Sequence, residues 1–154
     1  MSTFSFLEKP PEWIIGTSTA IIMSPCLEFT LMAPHKVWKL MPLGWTLEKK
    51  DGYSFIDGLW RELGEEWDIE EDELQCIDRI RNRVFWVVPS YQRKYGRWNF
   101  IDTLYVFIML KKRECAGEKK CNWIPVEKML TGNDHGMTVH RLAVMNLLGK
   151  IHQK

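Results

Sequence analysis

The sequence has few of the features that identify common enzyme classes. Its four histidines form no His-x-x-x-His pair, and it has no Gly-x-Ser-x-Gly elbow and no phosphate loop of the Gly-x-x-x-x-Gly-Lys type. Its cysteines show no Cys-x-x-Cys spacing, which is typical of zinc sites and redox pairs: Cys26, Cys76, Cys115 and Cys121. These absences argue against a zinc enzyme, a serine-nucleophile hydrolase and a P-loop enzyme, and we expect the cysteines to be reduced thiols.

The sequence also lacks a long apolar run and a strong net charge. Its longest uninterrupted apolar run, residues 104–110, is far below the roughly 20 residues that a membrane helix needs. The first 13 residues contain no basic region followed by an apolar run, so they do not resemble a signal peptide. A net charge of +1 creates no strong field for a nucleic acid or a membrane. We therefore expect a soluble, cytoplasmic protein with no membrane partner.

The length and the apolar content predict one domain. A chain of 154 residues lies within the usual size of a single domain, and a hydrophobic content of 45% can fill one core. We expect residues 1–154 to form that domain.

The most informative segment is a run of carboxylates that follows Arg61. Glu62, Glu65 and Glu66 are spaced three and four residues apart, so a helix would bring their side chains into one cluster. The segment predicts such a helix, with Ser54 as its N-cap and an apolar stripe at helical spacing: Phe55, Ile56, Leu59, Trp60, Leu63 and Trp67. Clustered carboxylates suit a hard divalent cation such as Mg²⁺. The alternative is a solvated, Glu-rich helix surface.

Residues 61–69 resemble the Nudix box of the Nudix hydrolases, whose core is Arg-Glu-apolar-any-Glu-Glu-any-Gly-apolar. Six residues fit in register: Arg61, Glu62, Leu63, Glu65, Glu66 and Ile69. The flanks are also similar to family motifs, with Trp38, Pro42 and Gly44 upstream and Trp123 and Pro125 downstream. Two positions depart from the box. Tyr53 stands where the family has a Glu, and Asp68 stands where the box closes with Gly.

The resemblance implies both a fold and a reaction. The fold is the Nudix fold, an α/β (α+β) architecture in which a mixed β-sheet is sandwiched between α-helices. The reaction is the metal-dependent cleavage of a diphosphate linkage in a nucleoside diphosphate derivative, which is a nucleotide, a dinucleoside polyphosphate or a 5′-phosphorylated RNA. The cofactor is Mg²⁺ or Mn²⁺.

The resemblance also implies roles for particular residues. The implied metal ligands are Glu62, Glu65 and Glu66, joined by a backbone carbonyl near Gly44 and by a later acidic residue. Glu118 is the main candidate for that acidic residue and Asp134 a weaker one, although exposed loop charges are common. Arg61 is an orienting ion-pair partner for a glutamate. Which glutamate accepts the proton of the attacking water stays open.

Substrate contacts are predicted in a basic and aromatic segment around residues 81–107. This segment has some similarity to dinucleoside polyphosphate and RNA 5′-pyrophosphate hydrolases. Lys39, Arg93, Lys94 and Arg97 would contact phosphates, and Tyr91 or Tyr95 would stack a base. The alternative is that the basic loop only keeps the surface soluble. The expected partner is a nucleotide-type small molecule, and an RNA 5′ end and a homodimer stay open.

A second hypothesis belongs to a different functional class. Tyr53, Asp68 and the long segment between Gly44 and Tyr53 depart from the family pattern. They fit a degenerate Nudix module that binds a nucleotide, RNA or a protein without efficient hydrolysis.

The residue pattern also predicts the main secondary-structure elements. We expect strands over residues 13–23, 27–32, 37–41, 75–88, 98–111 and 122–125, with a turn at residues 42–44 and a polar loop at residues 90–96. Apolar residues at helical spacing predict a closing helix over residues 137–151.

Overall fold

The computed structural model describes residues 15–35, 39–47, 54–84, 100–115, 117–131 and 144–149. The strands in these residues are β1 (Ile15–Met23), β2 (Phe29–His35), β3 (Lys39–Met41), β4 (Leu43–Thr46), β5 (Leu74–Val84), β6 (Phe100–Met109) and β7 (Asn122–Pro125). The helices are α1 (Phe55–Trp67) and α2 (Val126–Thr131), with a short 3-10 turn at Glu71–Glu73. Residues 144–149 are also helical.

The strands form a mixed sheet centred on β1. The strand order is β3-β2-β1-β6-β5, and β4 pairs with β1 while β7 pairs with β2. The β1–β6 pair is parallel, with Ile15 opposite Phe100 and Met23 opposite Ile108. The neighbouring β1–β4 and β5–β6 pairs are antiparallel. A parallel pair at the centre requires a crossover connection, and α1 lies on the chain between β1 and β6.

Side chains that alternate along β1 enter two separate cores. Ala20 and Ile22 pack into the core that contains α1, whereas Ile21 and Met23 pack into the core that contains α2 and residues 144–149. Because successive strand residues point to opposite faces, the sheet lies between helices on both sides. This confirms the predicted mixed sheet sandwiched between α-helices.

Within the described residues, the predicted strands agree with the structure in their order and approximate positions. The predicted strand residues 13–14, 37–38, 85–88 and 98–99 and the predicted loop at residues 90–96 lie outside the described ranges. The prediction for residues 122–125 is confirmed in full, since β7 spans Asn122–Pro125. β1 and β2 pair as an antiparallel hairpin, with Met23 opposite Thr30. The prediction that residues 1–154 form one domain stays a prediction. None of the helices within the described ranges is long and apolar enough to cross a membrane.

Three details of the predicted elements were wrong. Leu27 lies in a turn with a φ of 64°, so the second strand begins at Phe29. The predicted turn at residues 42–44 is the start of β4, because Leu43 and Gly44 pair with Ala20 and Thr19 of β1. Residues 110–111 lie beyond β6, since the backbone N–H of Leu110 leaves the sheet and donates to the carbonyl of Glu73.

Candidate active site

The helix that carries the carboxylates is fixed at its start by two hydroxyl groups. The side chain of Ser54 accepts a hydrogen bond from the backbone N–H of Asp57, which confirms the predicted N-cap. The hydroxyl of Ser18 in β1 donates to the carbonyl of Phe55 at 3.3 Å. These contacts fix α1 on the central strand of the sheet.

The apolar stripe of α1 packs against the sheet and is narrower than predicted. Four of its members are buried in one core: Phe55, Leu59, Leu63 and Trp67. Trp60 is half-buried, and its ring contacts that of Phe107 with centroids 5.7 Å apart. Ile56 is 36% exposed, so its place in the stripe was wrong. It lies next to Phe55 on a helix that turns about 100° per residue, which carries its side chain away from the sheet.

The end of α1 explains one departure from the Nudix box. Asp68 has a φ of 56°, in the left-handed region that favours glycine, and its N–H donates to the carbonyl of Gly64 at 3.2 Å. The N–H of Ile69 donates to Leu63 at 2.9 Å, which completes the cap. Asp tolerates this conformation better than most residues. The backbone at this position therefore has a conformation that glycine favours, although the residue is Asp.

An arginine from the segment after β6 holds this helix end in place. Arg113 donates to the carbonyl of Asp68 and forms hydrogen bonds of 2.5 and 2.8 Å to the carboxylate of Glu73. The hydrogen bonds from Arg113 lower the pKa of Glu73 to about 2 and raise that of Arg113. The contact ties the end of α1 to the chain that leads into β7.

Arg61 holds two of the three clustered carboxylates. Its Nη2 lies 2.6 Å from Oε1 of Glu62, and its Nη1 lies 3.0 Å from Oε2 of Glu65. The side chain of Glu62 is buried, whereas that of Glu65 is 53% exposed. Burial raises the pKa of Glu62 to about 6, and the nearby carboxylate of Glu66 adds to this rise while Arg61 opposes it. Arg61 thus lies where an orienting ion-pair partner would lie.

Glu66 has a different counter-ion. Its Oε1 lies 3.0 Å from Nζ of Lys119, and its side chain is only 16% exposed. Its Oε2 is buried and has no hydrogen-bond donor among the described residues. A buried carboxylate oxygen without a partner is costly, so Oε2 of Glu66 is the oxygen of the cluster best suited to accept a cation or a hydrogen-bond donor.

The loop that supplies Lys119 is fitted to the last turn of α1. The N–H of Lys119 donates to the carbonyl of Glu66 at 2.8 Å, and the N–H of Glu118 donates to that of Glu65 at 3.4 Å. A Cβ on Gly117 would lie 2.8 Å from the carbonyl carbon and oxygen of Glu66, so only glycine allows this approach. Glu118 is therefore beside the cluster, with an exposed side chain, and its role as a ligand stays a prediction.

Comparison with known proteins gives structural but no sequence matches. No protein-family model matches the chain, and no curated protein sequence matches it. Among solved structures, the E. coli dihydroneopterin triphosphate pyrophosphohydrolase is 14% identical, with a TM-score of 0.65 over 91% of this chain and 97% of that one. A C. elegans Ap4A hydrolase binary complex is 10% identical, with a TM-score of 0.67 over 92% and 100%. A NUDIX-family hydrolase from Clostridium perfringens is 16% identical, with a TM-score of 0.56 over 86% and 97%.

This chain has the Nudix fold. The fold that the box implied is thereby confirmed, and the carboxylates lie on the helix between β4 and β5 of that fold. At sequence identities of 10–16%, these structural similarities establish the fold alone, and the reaction has to be argued from the residues.

The structure describes the remaining predicted site residues of this Nudix-fold protein to different extents. Gly44 lies in β4 opposite Thr19, and the next residue, Trp45, contacts Trp67 at the end of α1 with centroids 6.1 Å apart. Lys39 belongs to β3, but its side chain is not described. Eight predicted residues lie outside the described ranges: Trp38, Tyr53, Tyr91, Arg93, Lys94, Tyr95, Arg97 and Asp134.

The cluster suits a divalent cation by chemistry but is not arranged around one. Carboxylate oxygens are the ligands that Mg²⁺ and Mn²⁺ prefer, and the unpartnered Oε2 of Glu66 is free to coordinate. Yet no three His, Cys, Asp or Glu side chains in the described part of the chain are placed to hold a metal ion. Arg61 and Lys119 form ion pairs with the three carboxylates. A metal would compete with these side-chain cations for the carboxylates.

Two polar features of the structure were missed by sequence reasoning. Lys119 is one of 21 basic residues, and nothing in its local sequence marks it as the partner of Glu66. Asp102 in β6 is buried on the sheet face opposite α1, where the hydroxyls of Thr17 and Thr19 donate to its Oδ1 at 2.8 and 2.9 Å. The sequence signal that could have identified Asp102 is the presence of an acidic residue within an apolar strand.

Proposed function

We propose that this protein is a metal-dependent pyrophosphohydrolase that cleaves a diphosphate linkage in a nucleoside diphosphate derivative. The observation that carries the proposal is the cluster of Glu62, Glu65 and Glu66 on the box helix of a Nudix fold, with one buried oxygen of Glu66 left without a partner. Solved relatives of this fold are named as a pyrophosphohydrolase, an Ap4A hydrolase and a domain bound to ADP ribose. The compounds in these names, dihydroneopterin triphosphate, Ap4A and ADP ribose, each contain a phosphoric anhydride.

The three glutamates would hold Mg²⁺ or Mn²⁺, with the carbonyl of Gly44 and the side chain of Glu118 as further proposed ligands. The bound ion supplies neutralisation of phosphate charge and a more acidic water. Arg61 keeps Glu62 and Glu65 oriented through its two ion pairs. One of the three carboxylates accepts the proton of the attacking water. Because Glu62 and Glu66 project from a packed helix, the backbone fixes where their side chains start.

The substrate side of the proposal rests on residues whose side chains the structure does not describe. Lys39, Arg93 and Lys94 would bind phosphate oxygens, and Tyr91 would stack on a base. The relatives named for Ap4A and ADP ribose support a nucleotide substrate. We further propose that RNA 5′ ends are a second substrate class. We also propose that the protein acts in the cytoplasm and that it forms a homodimer.

The test is a substrate panel with mass identification of the products. Nucleoside triphosphates, nucleotide sugars, dinucleoside polyphosphates and 5′-triphosphorylated RNA are incubated with the protein in Mn²⁺, Mg²⁺ or chelator. Metal-dependent release of a mononucleotide or pyrophosphate is expected. Glu65→Gln and Glu66→Gln should each lower turnover by at least ~10²-fold. Glu71→Gln removes the same charge at an exposed position on the 3-10 turn, and this control should leave turnover unchanged. Near-normal turnover in both variants would contradict the proposal.

A second candidate is a binding module without efficient hydrolysis. The observation that favours it is that all three carboxylates are already paired with side chains of the same chain. Such a module binds its nucleotide, RNA or protein ligand with little dependence on Mg²⁺. Ligand binding that persists in chelator, with no product formed across the panel, would favour this candidate over the enzyme.

A further inference from the structure

Lys119 is the side-chain cation with the most direct access to the buried end of the carboxylate cluster. Its Nζ lies 3.0 Å from Oε1 of Glu66 and 5.7 Å from the ring centroid of Trp67. The other charged groups at the cluster, Glu62 and Glu65, share Arg61. Lys119 is therefore the counter-ion for Glu66 among the described residues.

The backbone holds Lys119 in place while its side chain remains free to leave. Two hydrogen bonds and the close approach of Gly117 fix the loop of residues 117–119 on the last turn of α1. The side chain of Lys119 is nevertheless 57% exposed, so its ammonium group can move into water without unfolding the loop. A lysine ammonium on a flexible stem forms a weaker and more mobile ion pair than a bidentate arginine.

We propose that Lys119 is a built-in counter-ion of Glu66 that competes with a divalent cation for this carboxylate, so that Lys119 weakens metal binding by the cluster. The inference rests on the proposed function, because it takes Glu66 as a metal ligand. A metal and an ammonium group cannot both neutralise a single carboxylate at full strength. Any free energy that the Lys119–Glu66 pair contributes to the metal-free protein is therefore subtracted from metal binding.

The experiment measures Mn²⁺ binding to the full chain without substrate, by calorimetry and by the electron spin resonance signal of free Mn²⁺. The variants are Lys119→Met, Lys119→Arg and Glu66→Gln, and Lys120→Met is the matched control. Lys120 is the exposed neighbour in the same loop, so Lys120→Met removes the same charge close to the cluster without removing the ion pair.

Lys119→Met is expected to lower the dissociation constant for Mn²⁺ by about 2- to 5-fold relative to Lys120→Met, on the scale of a partly exposed ion pair. The difference should shrink as salt is raised from about 0.05 to 0.5 M, because salt screens the pair that competes. Lys119→Arg should bind Mn²⁺ no more tightly than the wild type. Circular dichroism in chelator checks that each variant is folded.

The outcomes separate this inference from the proposed function. If the wild type binds Mn²⁺ through Glu66 and the two Lys→Met variants bind it equally, the inference is overturned while the metal site stands. Weaker binding by Lys119→Met also overturns it, since Lys119 would then position Glu66 for the metal. Binding by Lys119→Met alone supports the inference. Absence of binding in every protein removes the metal site and the inference together.

Discussion

Asp102 gives the sharpest test of the structure outside the cluster. Its side chain is buried on β6, and both of its described hydrogen bonds, from Thr17 and Thr19, reach the same oxygen, Oδ1. Burial raises the pKa of Asp102 to about 6, and the two threonine hydroxyls oppose the rise. The protein therefore carries a buried carboxylate that is ionised at pH 8 with only part of its charge stabilised.

The sign of the resulting pH dependence follows from the direction of the shift. The pKa in the folded state lies above the ordinary value of 3.8, so the folded protein holds a proton that the unfolded chain has lost. The contribution of Asp102 to stability is full below about pH 4 and is lost as the pH rises through about 6. A shift from 3.8 to about 6 corresponds to at most about 3 kcal/mol.

Asp102→Asn removes the charge and keeps Oδ1, so both threonine donors retain their acceptor. Its new amide group is a buried donor whose cost, about 1–3 kcal/mol if unpaired, is the same at every pH. We therefore expect the free energy of unfolding of Asp102→Asn to rise relative to that of the wild type by about 1–3 kcal/mol between pH 4.5 and pH 8.

Urea unfolding followed by tryptophan fluorescence at pH 4.5, 6 and 8 measures this difference. Asp72→Asn, at an exposed position on the 3-10 turn, is the control for loss of an aspartate charge. If Asp102→Asn destabilises the protein equally at all three pH values, Asp102 is not the strained carboxylate that its surroundings indicate.

Three further predictions concern the end of α1. Asp68→Gly should raise the free energy of unfolding by about 0.5–1 kcal/mol in urea, because glycine adopts the φ of 56° without strain. Gly117→Ala should lower it by about 1–3 kcal/mol, because the new Cβ would meet the backbone of Glu66 at 2.8 Å; an unchanged midpoint would mean that the loop lies elsewhere. Glu73→Gln should lower it by about 1 kcal/mol at pH 7. Because Arg113 lowers the pKa of Glu73 to about 2, that loss should fade as the pH drops from about 4.5 toward 2, and a loss independent of pH would contradict the ion pair.

The sequence predicts the features that depend on residues close together along the chain, and it does not predict those that depend on distant residues. The box helix, its Ser54 cap and its buried stripe follow from spacing within 14 residues, and the structure has them. β4 could not be recognised, because four residues containing a glycine become a strand only by pairing with β1. Lys119 is 53 residues from Glu66 along the chain, and only the folded loop brings the two together. Periodicity carries no information about such contacts.

The crowding of the box carboxylates weighs on the choice between enzyme and binding module. Glu62 and Glu66 lie close enough for Glu66 to raise the pKa of Glu62, and one oxygen of Glu66 is buried without a donor. For stability alone, a glutamine at either position would remove the repulsion and add a hydrogen-bond donor. Arg61 and Lys119 reduce this cost without removing it. An arrangement that keeps three anions together against its own stability favours the proposed enzyme, which requires a further cation, over the metal-independent module, which does not.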